Sequence, residues 1–507
     1  MRVSPWRAPH VWCFALFYAV LLASWPALPT QDASAWVMEA SALKRQLAGL
    51  GLPGCSLVDA LPPNAFAQLA IAGLELVLTA QQAGRVYIAL CVLGLCAALI
   101  YLSEGARARP GAVLAVLPLC AGYPLYHGFL NYLAALPVLC FGLGALLRNP
   151  EARGLRGFAL LAIVPCVLYS CHGTALGVWG VLLAVQCWVR RSWQLLARAA
   201  LSFVPVLVLL AFYVSQRSAE GAALTWSAGS LGATVSYRLR SPLRFFSVFH
   251  GLAPTYDDPL LRMIAPLLVV VNVGYALWLC GSGLRWAVRA RASEQAHERF
   301  LACSTLALSA CFFVLPHDVA KMLNPAERLL LPAALIGAVG YRADRTRAWQ
   351  RGALYFILFA QALYVLVWGT RAAGAASELI AVRQRYGFDV PVVQARQLSF
   401  AAKAPRLGAV DLLPRHQVLA MQGILEEFQA GHLVAPFDTG LFRCVRVEQN
   451  EPIGWDLEEL QRDERPLVVL GEREHMRVLA DQFGRTFRTL EVGTGFILVQ
   501  RTAASSP

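Results

Sequence analysis

Charge is scarce in this sequence. Asp, Glu, Lys and Arg together make up 15% of the residues against 57% hydrophobic ones, too little polar surface to clothe a soluble globule of this length. The scarcity is uneven. Apolar runs long enough to cross a hydrocarbon core of ~30 Å recur along most of the chain, which is the pattern of a polytopic helical membrane protein. Their interiors carry prolines at Pro118, Pro137, Pro165, Pro205 and Pro266 but few charges, and this argues against an ion-coupled carrier. Acidic residues are the rarer sign, 31 against 44 Lys and Arg. The net charge of +13 nevertheless forms no single basic tract, so it is a signal of topology and not of a nucleic-acid partner. A zinc-type cysteine spacing and internal repeats are missing, and residues 372–507 carry no phosphate-cradling Gly loop, metal cluster or nucleophile elbow. Most cysteines, among them Cys91, Cys96, Cys140, Cys166 and Cys303, lie inside apolar runs as small hydrophobes. Only Cys55 and Cys444 lie well away from such runs, and their spacing does not tell whether they pair.

What is present is a punctuated series of spans. Arg2 and Arg7 precede an apolar run from His10 to Leu28 with no clear small-residue cleavage site close behind it. It reads as an uncleaved first span with the N-terminus in the cytoplasm, a signal peptide being the other reading. Arginine clusters at 107–109, 148–156, 190–198, 285–291 and 342–351 each follow one apolar run and precede another. Placing all of them in the cytoplasm predicts spans at 10–28, 85–103, 110–126, 129–147, 155–171, 173–189, 197–214, 260–282, 299–316, 328–341 and 352–370, about 11 helices in all. The segment Phe66 to Ala80 carries Gln68 and Glu75 and follows Pro62-Pro63. It is expected to lie in the outer interface, within a first outer loop of 29–84.

That topology gathers unusual polar residues on the outer side. The stretch Thr30 to Glu39 places Asp32 and Glu39 just beyond the first span; if helical, their spacing of about two turns puts both acids on one face. The alternative for Asp32 is an ordinary helix N-cap. His127, Asn131, His172, His250, His317, Lys321, Asn324, Glu327 and Arg328 also fall at outer helix ends or loops. Ionisable and amide groups at the membrane boundary are costly without water, partners or substrate, so an outward polar cavity is the simplest arrangement. In such a cavity Asp32 can act as a general base, while Lys321, Arg328 and the imidazoles can hold a phosphate or pyrophosphate. Each imidazole taken singly reads first as a solvated or capping group, and Arg328 equally as an interfacial anchor. Asp257-Asp258 can bind a divalent cation or cap the eighth span beside Pro259.

Together, one span, a large outer loop opening on an acid, an interfacial helix after Pro-Pro, inner arginine clusters and the Gly128-Phe129-Leu130-Asn131-Tyr132 segment at a span start resemble the GT-C glycosyltransferase superfamily, over residues 8–370. The resemblance implies a bacterial inner-membrane enzyme that takes a sugar from a polyprenyl-phosphate-linked donor to an envelope acceptor on the outer face. Asp32 is then the position matching the catalytic base. Members often carry a second acid close to the first; here Gln31 precedes and Ala33-Ser34 follow, and Glu39 is the candidate second carboxylate. Implied partners are the lipid-linked donor and membrane lipids, with no nucleic acid. The competing class is a non-catalytic membrane protein, an amphiphile transporter or an envelope-assembly component.

Beyond residue 371 the character changes. Apolar runs shorten to strand length at Val390–Val393, Val434–Phe437, Phe442–Val447, Leu467–Leu470 and Phe487–Val499, the last turning at Gly493 and Gly495. Helical stretches are expected at 415–430 and 473–483. Residues 372–507 are therefore expected to form a small extracytoplasmic α/β domain, serving in acceptor recognition, as a lid, or structurally.

Overall fold

The structure is a computed structural model that describes residues 9–25, 28, 30, 32–50, 55–57, 61–108, 110–120, 122–219, 226–227, 235, 238–239, 241–242, 259–315, 318–319, 322–323, 325–341, 348–386, 392–394, 445–447, 467–470, 487–493 and 496–501. Its helices, in chain order, are α1 (Pro9–Ser24), α2 (Ala33–Leu47), α3 (Phe66–Leu74), α4 (Ala80–Gly105), α5 (Pro110–Cys120), α6 (Tyr123–His127), α7 (Leu130–Arg148), α8 (Gly154–Cys171), α9 (Gly173–Arg190), α10 (Trp193–Ala219), α11 (Pro259–Ala290), α12 (Ala296–Val314), α13 (Glu327–Tyr341) and α14 (Ala348–Tyr386). Five of them, α4, α7, α8, α9 and most of α10, are each long and apolar enough to cross a membrane. The other predicted spans also fall on helices: α1, α5 with α6, α11, α12, α13 and α14. The chain is a multi-pass membrane protein. Leu201, Val204, Leu207 and Val208 of α10 and Phe356, Phe359 and Leu363 of α14 turn outward, an apolar rim of the kind a membrane-spanning bundle presents to lipid.

Two of the expectations are answered by helix length. Phe66 to Ala80 does not form a span: α3 has 9 residues, about 13 Å of helix, far short of the hydrocarbon core. A turn follows it, and α4 starts behind a capping box in which Gln82 N–H donates to Thr79 Oγ1 and Thr79 N–H donates to Gln82 Oε1. The predicted span 110–126 is interrupted. Pro118 sits inside α5, Pro124 opens α6, and α6 ends after one turn at Gly128, which is left-handed at φ +84°.

The core sits where the helices cross. Gly105 of α4 and Gly144 of α7 let the two helices approach so closely that a Cβ on Gly105 would lie 2.7 Å from the Gly144 carbonyl oxygen. Buried on nearly every side, α13 is apolar all round behind its opening Glu327-Arg328, as an interior helix must be. Polar side chains finish helix ends that the bundle encloses, as where Gln361 Nε2 donates to the Pro118 carbonyl at 3.0 Å.

The predicted arginine clusters at 148–156 and 190–198 meet at one end of the bundle. Arg148 pairs with Glu104 at 3.2 Å and lies 3.7 Å over the Tyr101 ring. Arg198 donates to the Glu151 carbonyl at 3.1 Å, Gln186 to the Pro150 carbonyl at 2.9 Å, and Arg299 to the Val189 carbonyl at 3.0 Å. The loops of the opposite end are joined by strands. β1 (Cys55–Leu57) of the first loop pairs antiparallel with β6 (Val445–Val447), and β2 (Trp226–Ser227), β3 (Asp318–Val319) and β4 (Met322–Leu323) form a second small sheet.

The last helix passes through the expected domain boundary at 371 without a break and runs to Tyr386. Its final turns pack Ala375, Ala376, Leu379 and Val382 on Val468 and Leu498. Those two residues belong to a four-stranded sheet ordered β5 (Val392–Gln394), β7 (Leu467–Leu470), β9 (Phe496–Arg501), β8 (Phe487–Gly493). β5 and β7 are parallel, and β8–β9 is the expected hairpin, with Gly493 opposite Phe496. Arg385 closes the contact on Glu491 at 2.6 Å. The expected strand 434–437 and helices 415–430 and 473–483 lie outside the described residues.

Candidate functional site

The site is built at the bundle end opposite the arginines, beginning with Asp32. This residue occupies the N-cap position of α2, yet its side chain makes no capping hydrogen bond. The helix start is held through the backbone instead. Asp32 N–H donates to the His127 carbonyl at 3.2 Å, and Trp36 Nε1 donates to the Gly128 carbonyl at 3.0 Å. The interruption after α5 is therefore what delivers His127 and Gly128 to the acid.

From His127 a run of rings and charges leads across three helices. The His127 imidazole meets the Phe129 ring edge-on at 4.6 Å, and the Arg328 guanidinium lies 4.6 Å over that same ring. Tyr132, in the first turn of α7, donates its hydroxyl to the Arg328 carbonyl at 2.7 Å, so α7 fixes the start of α13. The Tyr132 ring in turn packs edge-on against His172 at 5.4 Å.

His172 lies in the turn between α8 and α9. Its Nδ1 accepts the Thr174 N–H at 3.2 Å as an N-cap. Burial first, and then the Arg328 cation, push its pKa well below the ordinary imidazole value. The ring is thus neutral, and with Nδ1 accepting, the proton must reside on Nε2. Tyr132 thus touches both the neutral ring of His172 and the backbone of Arg328.

Glu39 and Asn131 have other partners. Gln68 Nε2 of α3 donates to Glu39 Oε2 at 3.2 Å, which ties the second acid to the interfacial helix. Asn131 is 2% exposed; its Oδ1 accepts Ala67 N–H at 2.7 Å and its Nδ2 donates to the Asn64 carbonyl. Asn64 takes a left-handed backbone at φ 68°, and its Oδ1 accepts Gly173 N–H at 3.3 Å. This amide pair therefore joins the first loop to the starts of α7 and α9. Nearby, Glu75 accepts the Ser41 hydroxyl at 2.7 Å while its carbonyl takes Lys44 Nζ at 2.7 Å, and burial raises its carboxyl pKa.

The structure thus brings Asp32, His127, His172 and Arg328 to one bundle end, and gives Asn131 a joint beside them. Asp257, Asp258, His317 and Lys321 lie outside the described residues, although β3 and β4 flank Lys321. Among the described residues no group of three His, Cys, Asp or Glu side chains is placed to hold a metal ion. Sequence reasoning missed Trp36, Phe129 and Tyr132 as parts of the site, and Gly128 beyond its place in a motif. A glycine closing a single Pro-initiated turn was the available signal.

No protein-family model matches the chain, and no curated protein matches it. Among solved structures the chain is similar to the crystal structure of ArnT from Cupriavidus metallidurans bound to undecaprenyl phosphate. The similarity covers 100% of both chains, with a TM-score of 0.50 and 13% sequence identity. The chain shares the fold of that structure, a GT-C-like fold.

Proposed function

We propose that the protein is a membrane glycosyltransferase that moves a sugar from a polyprenyl-phosphate-linked donor to an envelope acceptor on the outer face of the membrane. The observation that carries the reading is the linkage, at one bundle end, of Asp32, His127, Arg328 and His172 through Phe129 and Tyr132, the Asp32 carboxylate not being used as a helix cap. The fold shared with a structure that binds undecaprenyl phosphate supports it.

The chemistry divides between these groups. Arg328 and the Nε2–H of His172 hold the carrier phosphate, the first by charge and the second as a neutral donor. Asp32 takes the proton of the acceptor hydroxyl as its oxygen attacks the anomeric carbon. The bond from that carbon to the phosphate oxygen breaks, and polyprenyl phosphate leaves with both electrons, its charge met by the arginine. Water exclusion by the surrounding apolar helices strengthens each of these interactions. Asp257-Asp258 is kept as the candidate site for a divalent cation, with Lys321 and His317 as further phosphate contacts.

Binding of undecaprenyl phosphate and product formation, measured separately on purified protein in nanodiscs, test this division. Arg328→Ala is expected to weaken binding by on the order of 1.5–3 kcal/mol, or roughly ten- to a hundredfold. Asp32→Asn, close in size but a poor base, should spare binding and abolish turnover. Unchanged turnover in Asp32→Asn rejects Asp32 as the base, and undecaprenyl phosphate binding without product formation in the unaltered protein promotes a non-catalytic amphiphile-binding protein.

A further inference from the structure

We infer that the His127–Gly128 turn is a positioning device that sets where the Asp32 carboxylate points, a role that rests on the proposed function and names the part of the fold that orients its base.

Three backbone-directed hydrogen bonds meet there. Asp32 N–H donates to His127 O at 3.2 Å, Trp36 Nε1 donates to Gly128 O at 3.0 Å, and Trp36 N–H donates back to Asp32 O at 3.3 Å. The first two dock the start of α2 onto successive carbonyls of one turn, and the third makes Trp36 and Asp32 a single helical unit. Translation of the Asp32 backbone along or across the turn breaks at least one of these bonds.

The turn has room for no side chain at its centre. A Cβ on Gly128 would lie 2.8 Å from Asp32 N, 3.0 Å from Ala33 N and 3.1 Å from Asp32 Cα. All three are backbone atoms, which cannot swing aside as the tip of a flexible side chain can. The φ of +84° at Gly128 adds the ordinary cost of a left-handed residue bearing a Cβ. Both constraints act on the same spot, so a substitution at Gly128 must displace the acid and not merely loosen the turn. A reacting group held in this way matters because misplacement by about 1 Å costs on the order of a hundredfold in rate.

The test reads the position of residue 32 directly. Asp32→Cys in the full-length protein in nanodiscs is alkylated with a maleimide and followed by mass spectrometry of the peptide containing residue 32. Leu50→Cys, at an exposed position past the end of the same helix, is the control reporter. Adding Gly128→Ala is expected to raise the alkylation rate at 32 several-fold and to leave the rate at 50 unchanged. Trp36→Phe, which deletes one hydrogen bond and introduces no clash, should raise it less. Equal rates at 32 with and without these changes, or a matching rise at 50, overturn the positioning role. A second arm adds undecaprenyl phosphate. It should slow labelling at 32 in the Asp32→Cys protein, and its failure to bind or protect counts against the proposed function, leaving the turn to be judged by the ligand-free rates.

Discussion

His172 shows how one side chain can be chosen for a state of charge. Its ordinary pKa is 6.5, and the fold lowers it by burial and by Arg328. The unfolded chain takes up a proton as pH falls through 6.5 while the folded one declines it, so the stability this group contributes is present above that value and is lost as pH falls from there toward the lowered folded pKa. His172→Asn keeps an N-cap acceptor but cannot titrate. Thermal unfolding between neutral and mildly acidic pH should therefore fall more steeply in the wild type than in His172→Asn. Identical slopes would mean that the imidazole is not held neutral. His172→Ala should instead destabilise at every pH by about 0.5–2 kcal/mol, the worth of a lost cap.

The short elements matter more here than the long ones. A nine-residue helix, α3, cannot hold a place at a bundle end by itself, and Asn131 ties it down by accepting Ala67 N–H and donating to the Asn64 carbonyl. Asn131→Ala leaves a buried donor and a buried acceptor unmet, at a cost of about 1–3 kcal/mol each. Denaturation in detergent should show that loss, whereas Arg328→Ala should change binding far more than stability. A stable Asn131→Ala protein with weakened undecaprenyl phosphate binding would return Asn131 to the ligand. The single turn α6 has the same importance, since its closing glycine docks the acid.

For the molecule as a whole, the loops opposite the arginine clusters are stitched to one another and to the C-terminal strands. β1 with β6, β2 with β3 and β4, and α14 with the four-stranded sheet each join parts distant in sequence. With the arginines in the cytoplasm, this end faces outward. A cysteine introduced near Ala402 should then react with an impermeant reagent in intact cells, and a reporter near Gln82 should lie outside. Labelling at 402 only after permeabilisation would reverse the orientation and move the proposed chemistry to the inner face.

The helices could be read from composition because a membrane leaves few choices: a backbone in hydrocarbon must satisfy itself, so long apolar runs become helices and arginines mark the loops between them. The hairpin at Gly493 could be read for a similarly local reason, as could the failure of Phe66 to Ala80 to span. The gathering of Asp32, His127, His172 and Arg328 at one end also followed, since it needed only the count of crossings. What that count could not supply was contact. That Phe129 lies under Arg328, that Tyr132 holds the Arg328 carbonyl, that Asn131 is turned toward Ala67 and Asn64, and that Gly128 abuts Asp32 are long-range matters. Hydropathy says that a face is buried but not what it is buried against. The partner is chosen by packing and hydrogen-bond geometry between segments up to 196 residues apart, and only the assembled bundle makes that choice.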